Sequence, residues 1–403
     1  MELFWLEHKK LWRKKIVKIC VLLCFVYCVI FGSILSFQWF SFGSSDDYTS
    51  AFGNNFDGYT VIKDSQEYAL SFGGELTDET LQQIVSDYQQ MEADGMEKEL
   101  EKTDWQIVNS WLGTLYPELR DTSNYKTMIS YVDPDKLTGF YERRQQVLDE
   151  FLEVSGQVGA EKEFLHQIER KVEKPFHYEW VEGWSTLLGS MVADLGVVMA
   201  LFLGIVLSSL FAGEWHDNTS ALVLTTRNGW GKIALAKILT GLAFTVELFA
   251  LLAVSNVISQ LFFMGTAGWD MPIQNIKLIA VAPMNMLQAE IYEYAFVLLG
   301  AIGFAGIVMF ISAAVKNNVL TLLLSLAVVY GPMMIAEYLP YEMQKALDLI
   351  PLVGSSTDIF RTNTFRIWGK LIWSPYLLIT IPVLIGILCM PFAIKSWSRR
   401  MKA

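Results

Sequence analysis

Residues able to do chemistry are few in this chain and do not form a catalytic set. The four histidines, His8, His166, His177 and His216, are scattered, and no HExxH pair or Ser/His/Asp grouping accompanies them. Gly229-Trp230-Gly231-Lys232 has neither the upstream glycine nor the Ser/Thr of a nucleotide phosphate loop, so the chain is not expected to hydrolyse ATP itself. Cys20, Cys24 and Cys28 recur on one helical face, with Cys389 far away; without His or Asp beside them they read as packing rather than metal ligands. What remains is charge set inside apolar sequence: Asp194, Glu247 and Lys237, with Glu214 at the end of an apolar run. A carboxylate in hydrocarbon costs at least ~2.5–3.5 kcal/mol on insertion scales, so it must face protein or water. Asp194 and Glu247 are therefore candidates to line a translocation path, or else are hydrogen-bonded within their own bundle. Lys237 lies near enough to a membrane surface to snorkel.

The elements that must position these groups are membrane helices. The chain is 53% hydrophobic with 25 Phe, and a span needs roughly 20 apolar residues. Six runs qualify: Ile19–Phe37, Leu187–Ala212, Ile233–Phe263, Tyr294–Val315, Val319–Ala336 and Leu371–Ile394. Only two Asn and a Lys separate the fourth from the fifth, which predicts a tight hairpin. The fold class expected is an all-α membrane protein of six transmembrane helices, with a large, mainly helical extracellular domain between the first and second spans. Glu290 and Glu293 then fall at the outer interface, before the fourth span.

Charge sets the orientation. Residues 38–186 carry 29 Asp/Glu against 12 Lys/Arg, a net of −17 within a chain whose total is −11. The remainder is basic, and its bases cluster at both ends: Lys9, Lys10, Arg13, Lys14, Lys15 and Lys18 before the first span, then Lys395, Arg399, Arg400 and Lys402 after the last. Arg227, Lys232 and Lys316 fall on the same side. By the positive-inside rule both termini are cytoplasmic and the acidic block is outside. The first apolar run is too long for a signal-peptide core and lacks a cleavage site, so it reads as an anchor. Three regions follow: 1–37, an amphipathic N-terminus and first helix; 38–186, the acidic domain; and 187–403, a five-helix membrane region with a cytoplasmic loop at 213–232.

Within the acidic block, Ser41–Gly58 reads as a loop and Tyr59–Phe72 as a short strand or hairpin. Helix follows from Leu81, Ile84, Val85 and Tyr88, with Thr77 or Asp78 as its N-cap, and again from Trp105, Val108, Trp111, Leu112 and Leu115. Phe140–Val154 and Glu161–Val172 predict two more helices. The block has no cysteine, so it folds without disulfides. Its negative charge is either a solvated surface or a means of concentrating a cationic ligand such as a cationic peptide.

The most specific segment is FAGEWHDNTSALVLTTRNGWGKIALAK, Phe211–Lys237. It resembles the signature region of ABC-type-2 transporter permeases: an acidic residue closing the second span, a Thr, a Leu/Val run, a polar turn with a base and a Lys opening the third span. Here these are Glu214, Thr219, Leu222–Leu224, Thr225–Arg227 and Lys237. The stretches FDGYTVIKDSQEYALSFGGELTDETLQQIVSDYQ and EKEFLHQIERKVEKPFHYEWVEGW resemble Firmicute permeases of this type whose first extracellular loop is expanded. The resemblance implies a bacterial plasma-membrane subunit whose cytoplasmic loop couples to a separate ATPase. Glu214, Thr219, Leu222, Thr225, Arg227 and Lys237 would carry that coupling. ATP and Mg would bind to the ATPase, with no cofactor on this chain. The partners implied are ABC ATPase subunits, a second permease chain and membrane lipid, with no nucleic acid. Export or clearance of a peptide-like or amphipathic substrate is the expected activity. A membrane sensor with an extracellular ligand-binding domain is the alternative. A proton- or sodium-driven carrier would more often show repeated halves, which this chain lacks.

Overall fold

The computed structural model describes residues 2–29, 66, 73–95, 105–188, 192–217, 219, 231–354 and 363–399. It is mostly helical. Five helices are long and apolar enough to cross a membrane: Leu195–His216, Lys232–Phe262, Met286–Val315, Asn318–Tyr338 and Ser374–Ser398. They match the second to sixth apolar runs, in keeping with an all-α membrane protein. The first run continues past the described helix Lys15–Val29, and its remainder lies outside the described residues.

In chain order the helices are α1 Glu2–Arg13 and α2 Lys15–Val29, then α3 Asp78–Ala93, α4 Trp105–Leu115, α5 Phe140–Val154, α6 Ala160–Glu169 and α7 Glu182–Thr186 in the inserted domain. The membrane body holds α8 Val192–His216, α9 Lys232–Met264, α10 Met286–Val315, α11 Asn318–Ile335, α12 Tyr341–Leu347 and α13 Ser374–Arg399. Among the described residues there are also two small antiparallel sheets. One pairs β1 Gly74–Leu76 with β2 Phe176–Tyr178, and the other pairs β3 Thr364–Ile367 with β4 Lys370–Trp373.

Helix α8 is the centre of the body: 72% of its apolar window is buried, against 17% for the window of α11. A Ser312 hydroxyl fastens α10 to α8. It donates to Ser208 O at 2.7 Å and accepts from the amides of Phe211 and Ala212. Helix α13 lies against α10 at backbone contact. A Cβ on Gly303 would stand 2.3 Å from Pro382 O, and one on Gly306 would stand 2.4 Å from Gly386 O. Such close approach needs residues without side chains. The outward faces of α11 and α13 carry exposed Leu323, Leu324, Leu384, Leu388 and Phe392, apolar surface suited to hydrocarbon. The tight turn between α10 and α11 has a local cause. Lys316 adopts a left-handed conformation (φ 65°) that ends α10, and Asn317 then caps α11 by accepting from Leu320 N.

Helix α10 begins earlier than the apolar run indicates. Asn285 and Gln288 form a capping box, so the helix starts at Met286 and takes Glu290 and Glu293 into its buried face. The two acids, expected to precede the fourth span, thus lie within its helix and are each less than 10% exposed within the protein.

The inserted domain follows its apolar stripes. Leu81, Ile84, Val85 and Tyr88 of α3 and Val108, Trp111, Leu112 and Leu115 of α4 are buried together. Thr77 is the N-cap of α3, accepting from Thr80 N. Asp78 serves a different helix: its two carboxylate oxygens accept from Gly139 N and Phe140 N, closing the N-terminus of α5. Of Tyr59–Phe72, expected as a short strand or hairpin, only Gln66 is described, and it is helical; the rest lies outside the described residues. Strand β1 begins just after it and meets β2, joining the beginning and end of the domain.

The domain is fastened to the membrane body through the segment between α9 and α10. Arg144, fully buried, donates from Nε to Leu278 O at 2.8 Å and from Nη2 to Ala280 O at 3.1 Å, while Nη1 pairs with Glu169 at 2.7 Å. Three indoles add donors across the same boundary: Trp111 to Asn275 O, Trp180 to Met264 O and Trp184 to Thr266 O. Further on, Thr364 of β3 donates to Gln157, and Arg366 pairs with Glu161.

Two outcomes follow. Gly306→Ala is expected to destabilise the body by about 1–3 kcal/mol through overpacking. Gly331→Ala, in α11 with nothing within 4 Å of its would-be Cβ, is expected to be neutral; thermal unfolding in detergent compares them. At Glu169 burial opposes the charge, but hydrogen bonds from Lys174 and Arg144 outweigh it and hold the carboxyl below its ordinary range. Its stabilisation is therefore present above the unfolded value of about 4.3 and is lost as pH falls through the lower folded value. Glu169→Gln should flatten the acid-side decline in melting temperature of the whole chain as pH falls below the unfolded value of about 4.3.

Candidate functional site

The sequence-selected residues converge at one end of the bundle, where α8 ends, α9 begins and both chain ends arrive. Glu214 occupies the last turn of α8, and Lys237 the second turn of α9. Their side chains meet at 2.8 Å, Nζ to Oε1, with relative exposures of 4% and 1%. Neither charge reaches solvent. Lys237 is therefore not a snorkelling lysine: a second carboxylate, Glu7 of α1, takes its Nζ at 2.7 Å. Lys10, one turn along α1, reaches Glu214 Oε1 at 2.6 Å.

The result is an alternating row, Glu7–Lys237–Glu214–Lys10, with two charges of each sign. Such a row suits a buried site, because each ion is met by an opposite one and the net charge to be desolvated is zero. Burial works against the charged form of Lys10, yet the hydrogen bond and charge of Glu214 outweigh it and raise its pKa. Lys14 has no such carboxylate. Its Nζ donates to Ser209 Oγ at 2.9 Å, and burial, with the nearby Lys237 and Lys10 charges, lowers its pKa.

Thr219 belongs to the same group. Its amide donates to Glu214 O at 3.0 Å and its hydroxyl to Glu214 Oε2. The chain leaving α8 is thus folded back onto Glu214 where the 220–230 segment departs. Leu222, Thr225 and Arg227 lie in that segment and outside the described residues. Next to Glu214 in the chain, Trp215 makes two contacts: Lys316 Nζ stands 4.2 Å from its ring centre, and it packs edge-on against Trp397 of α13. One compact region therefore ties α1, α8, α9, the α10–α11 turn and α13.

Helix α1 lies across the start of α9 because one face of it matches that surface. Leu11 is buried and Trp12 packs on Phe244, while Trp5 and Leu6 are turned away and exposed. The same helix reaches Glu247. His8 Nε2 stands 3.1 Å from Glu247 Oε1, and Trp12 Nε1 donates to Oε2 at 3.0 Å. Glu247, proposed from sequence as a path residue, is held by α1. Asp194 lies in the first turn of α8, at the opposite end of that helix from Glu214, and its side chain lies outside the described residues. The two acids thus belong to separate regions.

Glu7, His8, Lys10 and Trp12 are the participants that pattern reading missed. The available signal was an acid, Glu7, one turn before Lys10 among the α1 bases, combined with a lysine in α9 that needed a carboxylate. Among the described residues no cluster of His, Cys, Asp and Glu could hold a metal ion.

Searches against family models, curated proteins and solved structures found no match for this chain.

Glu214→Gln should destabilise the chain by on the order of 3 kcal/mol, since it leaves Lys237 and Lys10 facing a neutral amide in a buried site. Lys10→Met should cost no more than about 1 kcal/mol, because its side chain is 49% exposed. Detergent-titrated unfolding would show the difference.

Proposed function

We propose that this chain is the membrane-spanning permease subunit of an ABC transporter, driven by a separate ATPase chain that binds ATP and Mg, and exporting a peptide-like or amphipathic substrate. One observation carries the reading: the 218–230 segment is flanked by the buried Glu7–Lys237–Glu214–Lys10 row. A partner pressing on that segment would act on Glu214 at its start and Lys237 at its end. Through those two charges the displacement passes to α8, α9 and α1 together. A rigid, charge-neutral joint is a suitable transmitter, because breaking either pair leaves a buried ion unmatched. The likeness of Phe211–Lys237 to permease coupling loops supports the same conclusion, and Leu222, Thr225 and Arg227 are the side chains assigned to the ATPase surface.

In this reading the chain ends and the 218–230 segment face the cytoplasm, in the bacterial plasma membrane. The acidic domain is extracellular, and a second permease chain completes the translocation path. A receptor role has its own support in the Arg144 and indole connections, which join the inserted domain directly to the α9–α10 segment. Such a joint would carry the occupancy of an outer ligand toward the membrane helices.

Affinity purification of the tagged full chain from its native membranes in mild detergent separates the two. A transporter subunit should bring down a chain with a G-x-x-x-x-G-K-[ST] phosphate loop and ATP hydrolysis above background. Leu222→Ala with Arg227→Ala should lose most of that co-purification, while the protein still inserts and melts as the parent does. Recovery of intact chain without any ATPase would overturn the permease reading and favour the receptor.

A further inference from the structure

A cleft of about 380 Å³ opens where the inserted domain meets the α9–α10 segment. Lys171, Glu173 and His177 line it from the domain, and Asp270, Gln274 and Pro283 from the membrane body. Its size falls within the range of small-molecule sites.

Both walls are built. On the body side, Ile273 N donates to Met284 O at 3.1 Å and Met286 N to Met271 O at 2.9 Å, which folds the segment back on itself. Gln274 is fully buried, and its amide nitrogen holds the carbonyls of Ala280 and Ala282. On the domain side, the carbonyl of His177 accepts from Asn275 Nδ2 at 2.6 Å, linking the two walls directly.

The charges give the cleft its chemistry. Lys162 pairs with Asp149 and Glu153, Lys126 with Glu92, and Lys174 with Glu169, whereas the lysine of the cleft has no such carboxylate among the described residues. In the cleft, Lys171, Glu173 and Asp270 make no ion pair with each other or with any other described residue. An ammonium and two carboxylates thus line one fixed space without neutralising one another. A ligand with both signs on a small frame would satisfy them together, and desolvating it in the cleft would be offset by contacts to both ends.

We propose that this cleft binds a small zwitterion, a free α-amino acid or a short peptide with unblocked ends, with Lys171 taking the carboxylate and Glu173 and Asp270 taking the ammonium. Gln274 and Pro283 form the wall beneath. The site is independent of the coupling region at the far end of the bundle, so it stands or falls without the ATPase assignment.

The test uses the full chain in detergent micelles and titration calorimetry with three probes: L-alanine, tri-alanine, and N-acetyl-alanine amide, which carries no charge. Saturable binding of L-alanine or tri-alanine is expected, and which of the two binds tells amino acid from peptide. Lys171→Met and Asp270→Asn should each weaken it at least tenfold. Both side chains are exposed and unpaired, so an unchanged melting temperature would show that the fold is kept. Absence of saturable binding of either zwitterion, equal binding of the uncharged probe, or binding indifferent to both substitutions would overturn the proposal.

Discussion

Charge buried inside a protein must be matched, and that requirement organises the end of the bundle where Glu214 and Lys237 meet α1. Lys237 cannot reach water and Glu214 cannot either, so each is tolerable only in the presence of the other. Their union also leaves work for α1. Glu7 supplies the second carboxylate and Lys10 the second ammonium, and a helix that would otherwise be a surface element becomes part of the packing. The unequal exposure of the members is informative. Lys10 is half in solvent and adjustable, whereas the Glu214–Lys237 pair is fixed, so the joint has one firm centre and a more yielding edge.

The opposite end is held by a different physics. There the donors are large and amphipathic: one guanidinium and three indoles, all directed at backbone carbonyls of the α9–α10 segment or of its first residues. Such bonds add to those the irregular segment makes within itself, such as Ile273 N to Met284 O and Met286 N to Met271 O, so that its buried carbonyls are met. They also make the segment the common boundary of the domain and the body. The cleft with its unpaired charges lies on that boundary, so a ligand held there would touch both parts at once.

Between the two ends the body is stiffened by close backbone packing. Gly303 and Gly306 admit α13 to van der Waals contact with α10, and Ser312 ties α10 to α8 with a three-way hydrogen bond. Small side chains and a shared hydroxyl are effective here because lipid offers no hydrophobic drive for helix association. The helices are thereby held against shearing past one another.

Much of this architecture is local information. Apolar length marked the five long helices, helical spacing marked the buried stripes of α3 and α4, and an Asn after a Lys marked the α10–α11 turn, because each depends on residues within a few turns of one another. The importance of Glu214 and Lys237 was visible from their placement beside apolar runs. What they touch was not. Glu7 and Lys10 are more than two hundred positions away, and pairing at that separation depends on how α1 lies across α9. For the same reason Glu247 reads as a lone acid in hydrocarbon but is met by His8 and Trp12, and Lys237 reads as a surface lysine but is enclosed. Glu290 and Glu293 read as preceding the helix because hydropathy ends where charge begins, whereas the helix continues to its capping box. Composition and periodicity determine which segments become helices and which faces are apolar. The partner of each buried charge is decided only when helices distant in sequence are brought side by side, since an ion's stability depends on what surrounds it in space.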